Sequence, residues 1–211
     1  MSNNIIDGRQ IADSIIADIA SELAILASKT NLTPKLSVIL VGDNQASQSY
    51  VRAKAKKAKM IGFASEIIQL PETITQNELA QIIAKLNNDP LVNGILVQLP
   101  LPQQIDKLQV IAQIKPEKDV DGFHIDTVGR FFTQQNSLVP CTPLGCLLLL
   151  KHSLTDLTGL KAVILGRSNI VGRPLAELLL QANCSVTILH SKSKNLETSL
   201  KNADIIVTAL G

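Results

Sequence analysis

A tyrosine and a lysine stand four residues apart in SQSYVRAKAKKAKMIG (47–62), a stretch whose composition favours a helix. Positions i and i+4 share one face of an α-helix, so Tyr50 and Lys54 are predicted to present a phenol and an amine together. Four further basic residues belong to the stretch: Arg52, Lys56, Lys57 and Lys59. Crowding by like charge lowers the pKa of a lysine, which can then exchange protons with a substrate near neutral pH. The alternative is a solvated basic helix.

A glycine-containing turn, GRSNIVGRP (166–174), lies between a predicted strand and a predicted helix. Small residues let a backbone approach a pyrophosphate, and the helix N-terminus is expected to offer free N–H groups and its positive dipole end. The spacing departs from G-x-G-x-x-G, because Ser168 stands at the second glycine position and Gly172 comes one residue late. An ordinary strand–helix turn is the alternative.

The end of the next strand bears on the cofactor. NAD sites usually place an Asp or Glu there, about 20 residues after the turn, to bind the ribose 2′-hydroxyl. This chain instead reads HSKSK (190–194), without an acid. A hydroxyl and two lysines suit a 2′-phosphate, which Arg167 could also reach. The pattern therefore predicts NADP over NAD, with a basic surface loop as the alternative.

Hydrophobic patterns place the Tyr50/Lys54 helix in an α/β layer. Strands are predicted at 36–41, 64–69 and 94–98, and helices at 8–29, 75–88 (after a Thr75-x-x-Glu78 capping box) and 105–114. Alternating strands and helices indicate a parallel sheet, whose ligands bind at the carboxyl ends of the strands. Gln98 ends the third strand, before two prolines that exclude helix. A polar loop with two acids follows at 115–122.

The remaining chain repeats the α/β pattern. A helix is predicted from Thr142, as N-cap with Pro143 behind it, to Lys151. Strands are predicted at 160–165, 185–189 and 204–208, and a helix at 174–181. We predict two domains, 1–122 and 123–211. Because the chain stops at Gly211 directly after a strand, the second domain is expected to be truncated.

Bulk composition narrows the function classes. With 211 residues and 45% hydrophobic residues the chain can bury a substantial core, and a net charge of +2 does not favour nucleic acid. The apolar runs are too short to span a bilayer, and no signal peptide is recognisable. Three cysteines without C-x-x-C spacing predict neither disulfides nor a metal site, and favour the cytoplasm.

Five ordered motifs together resemble the bifunctional methylenetetrahydrofolate dehydrogenase/methenyltetrahydrofolate cyclohydrolase family. They are S-Y-V-x-x-K (49–54), G-I-L-V-Q-L-P-L-P (94–102), P-x-K-D-V-D-G (116–122), P-C-T-P (140–143) and G-R-S-x-x-V-G-x-P (166–174), with H-S-K (190–192) also fitting. The resemblance covers nearly the whole chain from Ile6 to Gly211. It implies an N-terminal α/β substrate domain, a C-terminal Rossmann-like NADP domain and a homodimer.

The resemblance also implies two reactions in one cleft. Hydride passes from 5,10-methylenetetrahydrofolate to NADP, and water then opens the methenyl product to 10-formyltetrahydrofolate. Lys54 matches the general acid/base, Tyr50 the residue that packs on the folate, and Gln98 the partner of the lysine. Asp121 matches the residue that hydrogen-bonds the pterin, and Leu99 is counted with the substrate site. The NADP contacts are implied at Gly166, Arg167, Ser168 and Ser191.

Other interpretations remain open at this point. Asp121 could be a cap, Gln98 could satisfy backbone groups at a strand end, and Tyr50 could be ordinary packing. A short-chain dehydrogenase also uses Tyr-x-x-x-Lys, but there the pair follows the glycine-rich turn, whereas here it precedes it. Another NADP-dependent two-domain dehydrogenase is a further alternative. The family continues beyond the last strand present here. The final alternative is therefore a folate- and NADP-binding remnant without full turnover.

Overall fold

The computed structural model describes residues 5–210, which form two compact α/β units. One unit is Ala12–Gly129, and the other runs from Arg130 onward and includes the stretch up to Ile11. The predicted α/β class is confirmed. The predicted boundary after Gly122 falls earlier in the chain than this division and stays a prediction. The outermost residues of the two predicted domains, 1–4 and 211, lie outside the described residues.

Three parallel strands form the sheet of the Ala12–Gly129 unit: β1 Lys35–Val41, β2 Ala64–Leu70 and β3 Gly94–Val97, in the order β2-β1-β3. Ile39 of β1 pairs with Ile68 on one side and Val97 on the other. Both faces of β1 are buried, as expected for a central parallel strand under helices. The carboxyl ends of β1 and β3 therefore lie side by side, at the edge where ligands bind in such sheets.

The helices that accompany these strands are α1 Gly8–Thr30, α2 Gln45–Met60, α3 Gln76–Asn88, α4 Lys107–Gln113 and α5 Ile125–Phe132. The side chain of Asn44 caps α2 by accepting from the N–H of Ser47. The capping box predicted at Thr75 and Glu78 is confirmed. The helix α5 was not predicted.

The core of this unit lies on both faces of the sheet. One face packs Ile39 and Ile95 with Leu79 and Ile83 of α3, and the other packs Val38, Leu40 and Leu96 with Val51 of α2. The larger face is completed by buried residues at the following positions: Val41, Ile74, Leu86, Val92, Val97, Ile105, Val110 and Ile114. Because Val51 is buried, the rotation of α2 about its axis is fixed relative to the sheet.

The second unit has the parallel strands β4 Lys161–Leu165, β5 Ser185–Leu189 and β6 Ile205–Thr208 in the order β5-β4-β6. Its helices are α6 Cys141–Ser153, α7 Gly172–Gln181 and α8 Leu196–Lys201, of which α8 was not predicted. The core packs Ile164 with Leu147 of α6 and with Leu175 and Leu179 of α7.

The start of α6 corrects one prediction. Pro140, not Thr142, is the N-cap residue, and no side chain caps the helix. Pro143 then lies in the first turn, where proline is tolerated because those N–H groups have no intrahelical partner. Within residues 5–210, no helix is both long and apolar enough to cross a membrane.

Candidate active site

Lys54 and Gln98 meet at the carboxyl edge of the β2-β1-β3 sheet. The half-buried Lys54 lies on α2, which follows β1, and its Nζ donates to Oε1 of Gln98 at 3.3 Å. The backbone N–H of Gln98 donates to the carbonyl of Ile39 at 2.9 Å, and its side-chain Nε2 donates to the carbonyl of Leu99 at 2.7 Å. These two bonds orient the amide, so its oxygen faces the lysine.

The basic residues predicted to crowd Lys54 point elsewhere. At about 100° per residue, three of them lie about 140–160° around the helix from Lys54. They are Arg52, Lys56 and Lys59, and all are exposed. Lys57 is nearer, but it pairs with Asp13 at 3.2 Å. Like-charge crowding of Lys54 is therefore a wrong prediction, because the period of the helix separates these charges.

A carboxyl group faces Lys54 instead. Asp121 is half-buried in the loop after the 3-10 turn Pro116–Lys118. Burial raises the pKa of Asp121 from 3.8 to about 6, the ammonium of Lys54 opposes this rise, and the carboxylate of Asp119 adds to it. At neutral pH the group is an anion that can accept hydrogen bonds from a ligand, and slightly below neutral pH it takes up a proton.

The two remaining residues predicted for this site are placed less tightly. Tyr50 precedes Lys54 by one turn of α2, and the residue is 66% exposed. Leu99 is half-buried, and the peptide bond between it and Pro100 is cis. An exposed aromatic ring one turn from the amine is available to pack on a flat ligand.

Asp119 is a residue of this site that the sequence analysis missed. It is almost fully buried, with 1% exposure, and both of its carboxylate oxygens accept backbone N–H groups of the same loop. The available signal was the second acid in K-D-V-D-G, which the sequence analysis noted without assigning it a role.

The predicted cofactor turn joins β4 to α7 in the other unit. Gly166 has φ of +124°, and a Cβ there would lie 2.3 Å from the carbonyl oxygen of Ala209. A Cβ at Gly172 would lie 2.3 Å from the carbonyl oxygen of Gly166. The turn is therefore a backbone cradle that admits no side chain at either position, as a pyrophosphate site requires.

Ser168 lies four residues before the start of α7 and contacts its first turn. Its Oγ accepts from the N–H groups of Val171 at 3.2 Å and Gly172 at 3.3 Å, and its carbonyl accepts from Arg173 at 3.0 Å. The prediction of free N–H groups at this helix start is therefore wrong for these three residues. The Ser168 hydroxyl can still donate its own proton to an anionic oxygen.

Arg167 and Ser191 follow adjacent strand ends, because Leu165 pairs with Leu189 and the N–H of Gly166 donates to the carbonyl of Leu189 at 2.8 Å. Both residues are exposed. The loop after β5 is a tight turn in which His190 and Ser193 hydrogen-bond at 2.9 Å. A guanidinium and a hydroxyl at one sheet edge, without an acid in that loop, suit a phosphate better than a ribose hydroxyl.

No group of three or more potential metal ligands (His, Cys, Asp or Glu) occurs within residues 5–210.

Two family models match the chain. Residues 6–121 match the tetrahydrofolate dehydrogenase/cyclohydrolase catalytic domain, and residues 140–211 match the NAD(P)-binding domain of the same family. The chain is 51% identical to the bifunctional protein FolD of Staphylococcus aureus over all 211 residues, which cover 73% of that relative.

Solved structures show the same similarity. The bifunctional FolD methylenetetrahydrofolate dehydrogenase/cyclohydrolase of Campylobacter jejuni aligns with a TM-score of 0.94 and 46% identity, over 98% of this chain and 73% of that one. The FolD enzyme of Trypanosoma brucei, solved with NADP cofactor and inhibitor, aligns with a TM-score of 0.93 and 37% identity, over 98% and 71% of the two chains.

Proposed function

The chain belongs to the tetrahydrofolate dehydrogenase/cyclohydrolase family, and on that premise we propose two consecutive reactions for it. The first oxidises 5,10-methylenetetrahydrofolate to 5,10-methenyltetrahydrofolate with NADP. The second hydrolyses this cation to 10-formyltetrahydrofolate. The observation that carries the proposal is the hydrogen bond between Lys54 and Gln98, beside the carboxyl group of Asp121.

We assign hydrolysis to Lys54. Water that attacks the bridging carbon of the methenyl cation must lose a proton, which the amine of Lys54 accepts as general base. The bond from this carbon to N5 of the folate then breaks, and the ammonium returns a proton to N5. The second water proton leaves to solvent as the formyl group forms. Gln98 contributes by fixing Nζ through its oriented amide oxygen.

Tyr50 and Asp121 bind the substrate in this proposal. The exposed ring of Tyr50 packs on the folate, with Leu99 as a further apolar contact. The Asp121 carboxylate accepts hydrogen bonds from N–H groups of the pterin, which explains why a half-buried acid close to Lys54 is useful there. Fixing the pterin places the reacting carbon, and positioning accounts for a large share of such rate enhancements.

The second unit holds the cofactor. NADP supplies the hydride acceptor when bound, so the chain has only to bind and orient it. The cradle of Gly166 and Gly172 admits the pyrophosphate, and the Ser168 hydroxyl donates to it. Arg167 and Ser191 bind the 2′-phosphate, which favours NADP over NAD.

We also propose that the protein acts in the cytoplasm as a homodimer, with neither nucleic acid nor a membrane as partner. The family resemblance supports the dimer. The net charge of +2 and three cysteines without C-x-x-C spacing support the rest. Sedimentation of the purified chain at micromolar concentration tests the dimer, and a monomer would contradict it.

The test of function is a spectrophotometric assay of methenyltetrahydrofolate and NADPH formed from methylenetetrahydrofolate, with NADP and NAD run side by side. We expect turnover, with NADP preferred, followed by hydrolysis of the methenyl product. A folded chain without turnover and without thermal stabilisation by a folate analogue would contradict the proposal.

A further inference from the structure

The loop that carries Asp121 is tied down on both sides of that residue. On its N-terminal side, Nζ of Lys118 donates to the carbonyls of Leu86 at 2.9 Å and Asp89 at 2.7 Å, at the end of α3. The next residue, Asp119, forms a backbone bridge with Ile95 of β3. Lys118 and Asp119 are therefore scaffold residues, although both are polar members of the same motif as Asp121.

Close packing extends this anchoring by one residue. A Cβ at Gly94 would lie 2.4 Å from Cγ1 of Val120, so β3 and the loop touch directly at a glycine. Three consecutive residues, 118–120, are thus fixed against α3 and β3. Asp121 is the next residue in the chain, and Lys54 of α2 acts on its charge.

On the C-terminal side the carboxylate of Asp119 closes the loop. Its Oδ1 accepts from the N–H of Gly122 at 3.1 Å, and its Oδ2 accepts from the N–H of His124 at 2.8 Å. Gly122 has φ of +71°, which lets the chain turn back toward Asp119. Asp121 is enclosed by these two hydrogen bonds, so its backbone position depends on the carboxylate of Asp119.

We propose that Asp119 is a positioning residue of the substrate site, which holds the loop around Asp121 through two hydrogen bonds from backbone N–H groups to its carboxylate. The inference rests on the proposed function, because it gives Asp121 the pterin. Burial and two charged groups govern the charge of Asp121: burial opposes ionisation, Lys54 on α2 favours it, and Asp119 opposes it. Removing the charge of Asp119 therefore makes Asp121 easier to ionise.

The experiment compares D119N with D121N and the unchanged chain in the dehydrogenase assay, from pH 5 to 8. Asn retains one acceptor oxygen, so one of the two tethers is lost. We expect KM for methylenetetrahydrofolate to rise about tenfold, the equivalent of one hydrogen bond to a charged group, with a smaller change in kcat. In the unchanged chain, folate binding should be lost as the pH falls through about 6, and in D119N this loss should occur at a lower pH. A merely structural role of Asp119 would not shift the pH at which binding is lost.

A matched control is D106N. Asp106 is also a carboxylate with two backbone N–H donors, those of Leu108 and Gln109, but it caps α4 away from this loop. Asn caps a helix as well as Asp does, so KM and the pH profile should stay unchanged. A second variant, G122A, disturbs the hydrogen bond from the N–H of Gly122 to Asp119 without altering any charge. It should raise KM while the pH at which folate binding is lost stays unchanged.

The outcomes separate the two proposals. If D121N raises KM but D119N changes neither KM nor the pH profile, the positioning role of Asp119 is overturned. If D121N itself leaves KM unchanged, the proposed substrate site is wrong, and the role of Asp119 is overturned with it. Where D119N does not fold, G122A decides, and an unchanged KM in that variant overturns the role.

Discussion

The residues proposed for folate come from three separate segments of the Ala12–Gly129 unit, whereas most of those proposed for NADP lie in one turn. Lys54, Gln98 and Asp121 meet only because a helix, a strand end and a loop converge at one sheet edge. The cofactor turn is a backbone cradle whose glycines cannot accept a side chain. The first region should therefore be sensitive to the loss of functional groups, and the second to added atoms.

The largest effect is expected for K54M. Removing the amine should lower methenyltetrahydrofolate hydrolysis about a thousandfold, since general acid–base catalysis contributes about 10² to 10⁴. Dehydrogenase activity should remain at least in part, because hydride transfer does not require this base. The decay of methenyl absorbance measures hydrolysis, and NADPH formation measures the first step.

K56M is the matched control for K54M, because Lys56 is exposed on the other side of α2. We expect it to leave both reactions unchanged. Undiminished hydrolysis in K54M would remove Lys54 from the mechanism. Equal losses in both variants would point to the overall charge of the helix instead.

G166A tests whether the cofactor turn is sensitive to added atoms. The added methyl group would lie 2.3 Å from a carbonyl oxygen, and the positive φ of this position disfavours any side chain. The free energy of unfolding should therefore fall by about 2–4 kcal/mol. KM for NADP should rise, while hydrolysis of added methenyltetrahydrofolate continues in the folded fraction. Urea denaturation and the two assays measure these changes.

G145A provides the control, because a Cβ at that position in α6 meets no atom within 4 Å. Alanine is favoured over glycine in a helix, so the variant should be up to about 1 kcal/mol more stable. Equal stability of the two variants would show that the cradle tolerates a side chain.

In the substrate region, the buried charge of Asp121 should lower the free energy of unfolding. The pKa of Asp121 is raised to about 6, so between about pH 4 and pH 6 the folded chain holds a proton that the unfolded chain has lost. Stability therefore falls as the pH rises through this window, by up to about 3 kcal/mol. D121N should be more stable than the unchanged chain at pH 7.5, equally stable near pH 4, and impaired in folate binding.

E66Q should show the opposite sign in the same denaturation series. The Ser37 hydroxyl and Lys35 hold the pKa of Glu66 below its usual value, so its stabilisation exists above pH 4.5 and is lost on further acidification. E66Q should thus be less stable than the unchanged chain at pH 7.5. A D121N variant that is also less stable there would refute the destabilisation that we assign to the buried charge of Asp121.

Local patterns predicted much of the fold, and the misses have physical causes. The strands and the capping box at Thr75 follow from hydrophobic runs and cap chemistry, which are local. The short helices α5 and α8 have few residues with which to show a period. The start of α6 was placed two residues too late, because proline is allowed at several positions of a first turn.

The candidate site was predicted less evenly. Lys54 and Gln98 were chosen through motifs, and only the fold brings them within hydrogen-bond distance. The expected crowding by basic residues was wrong because it ignored the helical period, which puts Arg52, Lys56 and Lys59 about 140–160° around α2 from Lys54. Asp119 was missed because the backbone N–H groups that it accepts belong to an irregular loop, for which no capping pattern exists.

The smallest effect is expected for R167Q. One charge-assisted hydrogen bond to the 2′-phosphate accounts for about 1.5–3 kcal/mol, so the ratio of kcat/KM for NADP to that for NAD should fall about 10- to 100-fold. The value for NAD should stay almost unchanged, because NAD lacks that phosphate. R173Q is the control, since Arg173 is exposed on α7 in the same segment. If both variants lose the preference equally, general positive charge attracts the cofactor. If neither does, the 2′-phosphate is bound elsewhere, and the cofactor region depends on the glycine cradle without this side chain.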